Sequence, residues 1–258
     1  MKKAYISVAS HHSEDLIIKN FAHYPKSVKN FQVEVSIIDN IGSKELEEFC
    51  LAYGFNYYHD GKQRGFGENH NYNFKLLSPK DDDLFLVSDP DIFLEEKELE
   101  GMLNDMDNSE ADIMNIRSYL DIESGKLDYP DRYFPGILNF FISLATGKRL
   151  HYGTNENVKN PEWMSGGFML FKALSYKKLG GFDEDYFMYC EDIDICFRAK
   201  KMGMILEYNS KRYNIHDSRM DSRKLFSKNM FYHVKTAFMF VFKNRFFKPV
   251  TVAKSVVV

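Results

Sequence analysis

The run Leu84-Phe85-Leu86-Val87, closed by Ser88-Asp89-Pro90-Asp91, restricts the fold of this chain more than any other stretch. Four apolar residues in a row, without polar alternation, suit a strand covered on both faces. Strands of that kind belong to parallel sheets with helices on either side. Pro90 closes the run, because a proline has no N–H to give to a central ladder.

The chain upstream fits the same architecture. Ala4–Ala9, Val33–Ile38 and Phe55–Tyr58 read as β-rich runs. Between them, Leu16, Ile17, Asn20 and Phe21 recur at helical spacing after Ser13-Glu14-Asp15, and Leu46, Phe49 and Cys50 do so after a capping Ser43. A third helix is expected from about Glu68 to Leu77. Strands alternating with helices predict an α/β fold: a Rossmann-like, doubly wound, mostly parallel sheet. Ligands of such sheets bind beyond the carboxyl ends of the strands. Those ends are Ser10-His11-His12, Asp39-Asn40, His59-Asp60 and Ser88-Asp89-Pro90-Asp91, and three of the four carry carboxylates.

The second half is less regular. Ile113–Arg117 and Gly167–Phe171 read as strands, Asp192–Met202 as a helix stopped by Gly203, and Ile205–Tyr208 and Tyr213–His216 as short β-like pieces. Tyr119–Trp163 is long and rich in glycine, proline and aromatics, with an amphipathic stretch near Gly136–Ala145. Without internal repeats or a low-complexity linker, the expected organisation is one domain over 1–220 and a basic, aromatic helical extension over 221–258. In that extension Phe231, Val234, Phe238, Val241 and Phe242 recur at helical spacing, interleaved with Lys235, Lys243, Arg245 and Lys248. Such a face suits either packing on the main domain or contact with an anionic membrane surface.

Composition excludes several classes. A net charge of −3 leaves no broad basic surface for nucleic acid. The three cysteines, Cys50, Cys190 and Cys196, form no CxxC pair and read as buried thiols in a reducing compartment. The apolar run after Met1-Lys2-Lys3 is too short for a signal peptide, and no stretch of about 20 apolar residues could span a bilayer. A cytoplasmic protein is therefore expected, with peripheral contact on the inner face of the cell membrane as the role open to the tail.

Three constellations carry chemistry. Asp89 and Asp91, one residue apart at a strand end, can share a hard divalent cation such as Mg²⁺ or Mn²⁺; a polar turn is the plainer reading. The block Gly180-Gly181-Phe182-Asp183-Glu184-Asp185…Glu191-Asp192-Ile193-Asp194…Arg198 runs into a helix. Asp194 and Arg198 suit an i,i+4 pair, while Glu191 and Asp192 fall at the helix N-terminus, where the dipole favours the ionised form a general base needs. Simple capping competes with that role. His216 follows a β-like piece and is either structural or a metal ligand.

Taken together these segments resemble the family 2 glycosyltransferases of GT-A fold, in particular the rhamnosyltransferase-like branch that builds O-antigens and capsules. The resemblance runs over about residues 4–217. It rests on Ile38-Asp39-Asn40, on the Arg64-Gly65-Phe66-Gly67-Glu68-Asn69-His70-Asn71 loop, on Ser88-Asp89-Pro90-Asp91, on Ser165-Gly166-Gly167-Phe168-Met169-Leu170, and most specifically on the Gly-Gly-Phe-Asp-Glu…Glu-Asp block. It implies a GT-A fold and an inverting transfer of rhamnose or another hexose from a nucleoside-diphosphate sugar to a hydroxyl of a glycan or lipid-linked oligosaccharide. A thymidine diphosphate donor is the first expectation, and a uridine diphosphate donor the second. By the same resemblance Asp39 reads the pyrimidine base, with Ser10, Arg64, Asn69 and Ser88 on the donor side. Asp91, Asp89 and His216 form the metal site, with Asp89 also near the ribose. Asp192 is the base, with Glu191 as its rival. Trp163, Gly166 and Gly167 lie on the acceptor side. Ser88 stands where the branch usually has Asn, and Tyr119–Trp163 matches nothing assignable.

Two other classes fit less well. A sugar-phosphate nucleotidyltransferase would want a glycine-rich, basic loop after the first strand, where this chain has Ala9-Ser10-His11-His12-Ser13-Glu14. A non-catalytic sugar-binding or scaffold subunit of a capsule assembly complex would have no use for an intact acidic cluster.

Overall fold

The computed structural model describes residues 1–128, 132–134, 153, 155, 158–216, 235–240 and 242–243. The amphipathic stretch expected near Gly136–Ala145 lies outside the described residues, as do Phe231, Val234, Val241, Arg245 and Lys248 of the tail.

The described strands form one ten-stranded sheet. In its first half, β1 (Lys2–Ser10), β3 (Phe31–Asp39), β4 (Asn56–Tyr58) and β5 (Leu84–Ser88) pair in parallel, in the order β4-β3-β1-β5. The helices α1 (Glu14–Phe21), α2 (Lys44–Tyr53) and α3 (Phe66–Leu77) connect them. In the second half β7 (Ile113–Asp121) and β10 (Leu206–His216) pair in parallel, and β9 (Phe168–Lys172) inserts antiparallel between β5 and β7. Because β9 opposes both neighbours, β7 and β10 point the same way as β5. Six strands therefore share one direction and present their carboxyl ends on one edge. Short antiparallel pieces complete the sheet: β2 (Ser27–Val28) on β3, β6 (Ile92–Phe93) on β10 and β8 (Lys126–Leu127) on β7.

Every residue of β5 is buried, as its unbroken apolar run requires. Alternate side chains feed two cores. Leu84 and Leu86 pack with Ile6, Val8, Ile37 and the α4 (Glu96–Asp107) residues Leu99, Met102, Leu103 and Met106. Phe85 and Val87 pack on the other face with Tyr176 of α5 (Ala173–Leu179) and Ile195 of α6 (Glu191–Lys201). Helices on both faces give the doubly wound arrangement.

Helix ends follow local chemistry. Ser43 caps α2 through its side chain, accepting from Leu46 N–H at 3.3 Å, whereas Ser13 makes no side-chain cap to α1. The two β-like pieces of the sequence, Ile205–Tyr208 and Tyr213–His216, are one strand, β10, interrupted by a register shift between Asn209 and Tyr213. In the tail, Ala237 and Phe240 are buried and Phe240 meets Phe197 of α6 edge-on at 5.8 Å. The described part of the tail thus packs on the domain through one face.

Candidate active site

The carboxyl ends of β1, β3 and β5 lie side by side, with Ser10 in register with Asp39 and Val8 with Ser88. Just past β5, Asp89 and Asp91 turn toward His216, the last residue of β10, whose neighbour on that edge is β6. Single ligand atoms of Asp89, Asp91 and His216 all lie within 4.8 Å of one another. Sequence separation between the aspartates and the histidine exceeds a hundred residues, and the sheet alone brings them together.

Asp89 Oδ2 leaves no room for a side chain opposite it. A Cβ on Gly167 would stand 2.3 Å from that oxygen, so any larger residue would displace the Asp89 carboxylate. The Asp89 N–H donates to Gly167 O at 2.7 Å. The preceding glycine serves the other acid: Gly166 N–H donates to Asp192 Oδ2 at 3.1 Å, and a Cβ there would press on the Asp192 side chain at 3.0 Å. Two consecutive glycines just before β9 therefore join the Asp89/Asp91/His216 cluster to Asp192.

Asp192 is the second residue of α6 and half-buried. Its Oδ1 accepts from the Ile193 N–H at 2.8 Å. Amides at a helix N-terminus favour ionised carboxylates, so this acid is held as an acceptor. Glu191 is only 7% exposed, and its Oε2 has no hydrogen-bond partner. Burial, reinforced by the neighbouring Asp192 charge, pushes the Glu191 carboxyl well above the usual carboxylate range. The two adjacent acids are thus differentiated by environment. Before them, Tyr189 and Cys190 take left-handed backbone angles (φ 70° and 67°), a conformation costly for non-glycine residues.

Charges within the cluster interact. Burial, with the Asp91 charge second, raises the Asp89 carboxyl to about 6. For His216 burial works the other way, but the hydrogen bond and charge of Asp91 outweigh it and the imidazole is raised from its ordinary value. The His216 Nε2 to Asp91 Oδ1 separation is 3.3 Å.

Among the expected donor-side residues, Asp39 is buried and fully engaged. It accepts from Ile41 N–H at 3.0 Å, Ser43 N–H at 2.6 Å and the Tyr57 hydroxyl at 2.9 Å. Arg64 forks onto Asp60, with Nη1 to Oδ1 at 2.9 Å, and lies over the Tyr72 ring at 3.9 Å. With Tyr57, Tyr58, His59, Asp60 and Tyr72, Arg64 lines an open cleft beyond β3 and β4. Ser10 and Asn69 are buried, and Ser10 Oγ and Asn69 Oδ1 have no partner. The Ser88 hydroxyl donates to Asp89 O at 3.2 Å. Trp163, expected on the acceptor side, is only 4% exposed and donates its indole N–H to Tyr133 O at 2.9 Å.

The Arg64–Asn71 segment, expected on the donor side, also makes ties the sequence reading does not include. The Asn71 amide donates to Phe182 O at 2.8 Å and accepts from Phe182 N–H at 2.9 Å and the Tyr176 hydroxyl at 2.7 Å. Phe66 N–H donates to Phe187 O at 2.9 Å. α3 thereby braces the loop leading to Glu191 and Asp192. The far side of that loop is held by the tail, where Lys243 Nζ contacts Asp183 and Asp185 at 2.6 Å each. Neither tie has a local signature in the sequence.

Comparisons with known proteins bear on the family and the fold. The chain is 30% identical over 248 residues to Rhamnosyltransferase WbbL of Escherichia coli (strain K12), covering 93% of each chain. Its fold resembles that of a mannosyltransferase from Pyrobaculum calidifontis solved with GDP-Man and Mn²⁺, with a TM-score of 0.58 at 12% identity, covering 84% of this chain and 58% of that one. It also resembles that of GalNAc-T7 solved with UDP, GalNAc and Mn²⁺, with a TM-score of 0.63 at 12% identity, covering 92% of this chain and 48% of the other. No family model matches the chain.

Proposed function

The chain belongs to the rhamnosyltransferase-like family 2 glycosyltransferases, and from that premise we propose that it transfers a hexose, rhamnose in the first instance, from a nucleoside-diphosphate sugar to a hydroxyl of a bacterial surface glycan intermediate, with inversion and with a divalent cation. The observation carrying this reading is the clasp formed by Gly166 and Gly167. It holds one carboxylate that suits a base beside three groups that suit a cation.

The residues present fit a Mn²⁺ or Mg²⁺ ion. Two carboxylates and an imidazole converge, Asp91 Oδ1 is buried with no well-aligned hydrogen bond, and the missing side chain of Gly167 leaves the Asp89 carboxylate its place. Asp89, Asp91 and His216 would hold the ion, which when bound neutralises charge on the departing diphosphate. The cleft of Tyr57, Tyr58, Arg64 and Tyr72 offers aromatic faces and donors to the nucleotide. Asp192 takes the proton of the acceptor hydroxyl as its oxygen bonds to the anomeric carbon. The bond from that carbon to the diphosphate oxygen breaks on the opposite face, and its electron pair leaves with the nucleoside diphosphate. Such a step needs one base and no covalent nucleophile, and one displacement of this kind gives inversion.

A panel of nucleotide sugars titrated with and without Mn²⁺, followed by NMR of the product's anomeric centre, tests the reading. The expected result is cation-dependent binding of one hexose donor and an inverted product; a retained configuration sinks the mechanism.

No helix among the described residues is long and apolar enough to cross a membrane. We assign the tail a peripheral contact with anionic lipid, supported by Phe238 (42% exposed), Phe242 (61% exposed) and the exposed Lys235 on the face turned away from Phe197. Co-sedimentation with phosphatidylglycerol vesicles should fall when Phe238 and Phe242 are both replaced by Ser; unchanged recovery refutes the contact.

A further inference from the structure

Asp192 enters α6 from a turn in which Tyr189 and Cys190 hold left-handed backbone angles. Angles of that kind persist only where the surroundings over-determine them, so the loop before Asp192 must be held from outside. The start of α3 does this at three close approaches, each of which needs a glycine. A Cβ on Gly65 would stand 2.5 Å from Phe187 O, and one on Gly67 would stand 2.5 Å from the Phe182 Cβ. From the loop's side, a Cβ on Gly181 would stand 2.1 Å from Asn71 Oδ1. The Phe66 ring reaches the base itself: its Cε1 and the Asp192 Cβ both border the place of a Gly166 side chain, at 3.5 and 3.0 Å.

Asn71 supplies the polar part of this contact. A side-chain amide has two N–H donors and two acceptor lone pairs, and Asn71 uses all of them. It donates to Phe182 O at 2.8 Å and to Glu184 Oε1 at 2.9 Å, and accepts from Phe182 N–H at 2.9 Å and the Tyr176 hydroxyl at 2.7 Å. Both backbone groups of Phe182 are thus bonded to one side chain. The Tyr176 bond anchors that side chain to α5 in the core, and the others hold the loop. Aspartate could accept the same two bonds but would set a charge against the Phe182 carbonyl and the Glu184 carboxylate. The next residue, Tyr72, points elsewhere, because successive positions on a helix lie about 100° apart. With Arg64 it lines the aromatic donor cleft. One rigid helix therefore borders the donor through Tyr72 and the base loop through Asn71. Displacement in line at an anomeric carbon depends on the spacing between those two sites.

We propose that Asn71 is a positioning residue for the transfer step: through Phe182 it sets the Asp192 carboxylate at a fixed place relative to the donor bordered by the same helix. Asn71 itself touches neither substrate nor cation. The proposal rests on the transferase reading above and deepens it.

The test uses the full chain with Mn²⁺ and whichever donor the wild type binds among thymidine diphosphate rhamnose and uridine diphosphate hexoses. Turnover is read as release of nucleoside diphosphate, with water and octyl glycosides of glucose, galactose and N-acetylglucosamine as acceptors. Donor affinity is read by calorimetry. Asn71→Asp should lower kcat by about 100-fold, the scale of a misplacement of about 1 Å, and leave donor affinity unchanged. Retained donor binding also shows that the variant is folded. Asn71→Ser, which cuts the same ties without adding a charge, should show the same split. Tyr176→Phe removes only the bond on the core side, where the rings of Phe74, Phe85 and Phe171 still surround it. It should lower Tm and keep kcat. Three results overturn the positioning role. One is kcat retained in both Asn71 variants. Another is kcat and donor affinity falling together, as for a residue that only supports the fold. The third is a loss in Tyr176→Phe equal to that in the Asn71 variants. A wild type that binds no nucleotide sugar, or whose diphosphate release survives Asp192→Asn, fails the transferase reading itself, and with it the base that Asn71 places.

Discussion

The two halves of the sheet deliver site residues by different means. In the β1–β3–β5 half, Ser10, Asp39 and Ser88 sit at or next to the last positions of adjacent parallel strands, and their relative places follow from strand register. In the β7–β9–β10 half, the site depends on two tight glycines, a strained turn into a helix N-terminus and the end of a strand with a register shift. The first half is a platform set by regular geometry. The second is held by tertiary ties: Asn71 to the 182 loop, Lys243 to Asp183 and Asp185, and Gly166 to Asp192. Binding functions tolerate the first kind of construction. A proton acceptor needs the second, because its position must be fixed against a substrate held elsewhere.

The largest test of this contrast concerns the acids of the second half. Asp192→Asn should preserve donor binding, which we assign to the platform, and lower single-turnover transfer by roughly two to four orders of magnitude. Glu191→Gln should cost far less turnover, since burial already favours the protonated form that Gln imitates. Rapid-quench measurement of both variants decides. If Glu191→Gln shows the larger loss, the environment has been assigned to the wrong acid. If Asp192→Asn loses donor affinity in step with turnover, the division between platform and base fails.

The same contrast explains what could be read from the sequence. The first-half strands are legible to within two residues at each end, because their β-rich runs, continuous in β5 and alternating in β3, are bounded by turn chemistry. α4 went unread although Leu99, Met102, Leu103 and Met106 have helical spacing; its many acids mask the apolar stripe. The antiparallel sense of β9 has no local signal, since Phe168–Phe171 is as uniformly apolar as the parallel β5 it pairs with. β10 read as two pieces because Ser210-Lys211-Arg212 interrupt its pattern at the register shift. Asp89, Asp91, His216 and Asp192 were reached as motif residues. Their convergence is a property of the sheet, and the pairing of Asp128 with Arg132 beside them has no motif at all.

A smaller effect joins the halves through protons, because Asp89 comes from one and His216 from the other. Asp89 titrates near 6 in the folded protein, against ~3.9 for an unperturbed carboxyl. Above 6 it is ionised in both folded and unfolded chains, and the folded state bears the cost of a buried charge. Below 6 the folded state takes up a proton first, so this group's stabilising contribution is present at lower pH and lost as pH rises through 6. A divalent cation must displace that proton, and the one His216 carries when its raised value keeps it protonated. Cation affinity should therefore fall by up to about tenfold per pH unit for each proton displaced, as the pH drops below about 6. In thermal unfolding, Mn²⁺ should raise Tm clearly at about pH 7.5 and much less at about pH 5.5. His216→Ala should lower affinity but flatten the pH dependence, leaving the Asp89 proton alone. A Mn²⁺ shift of equal size at both pH values would mean that the cation does not compete with these protons, and that the two halves do not meet at one metal.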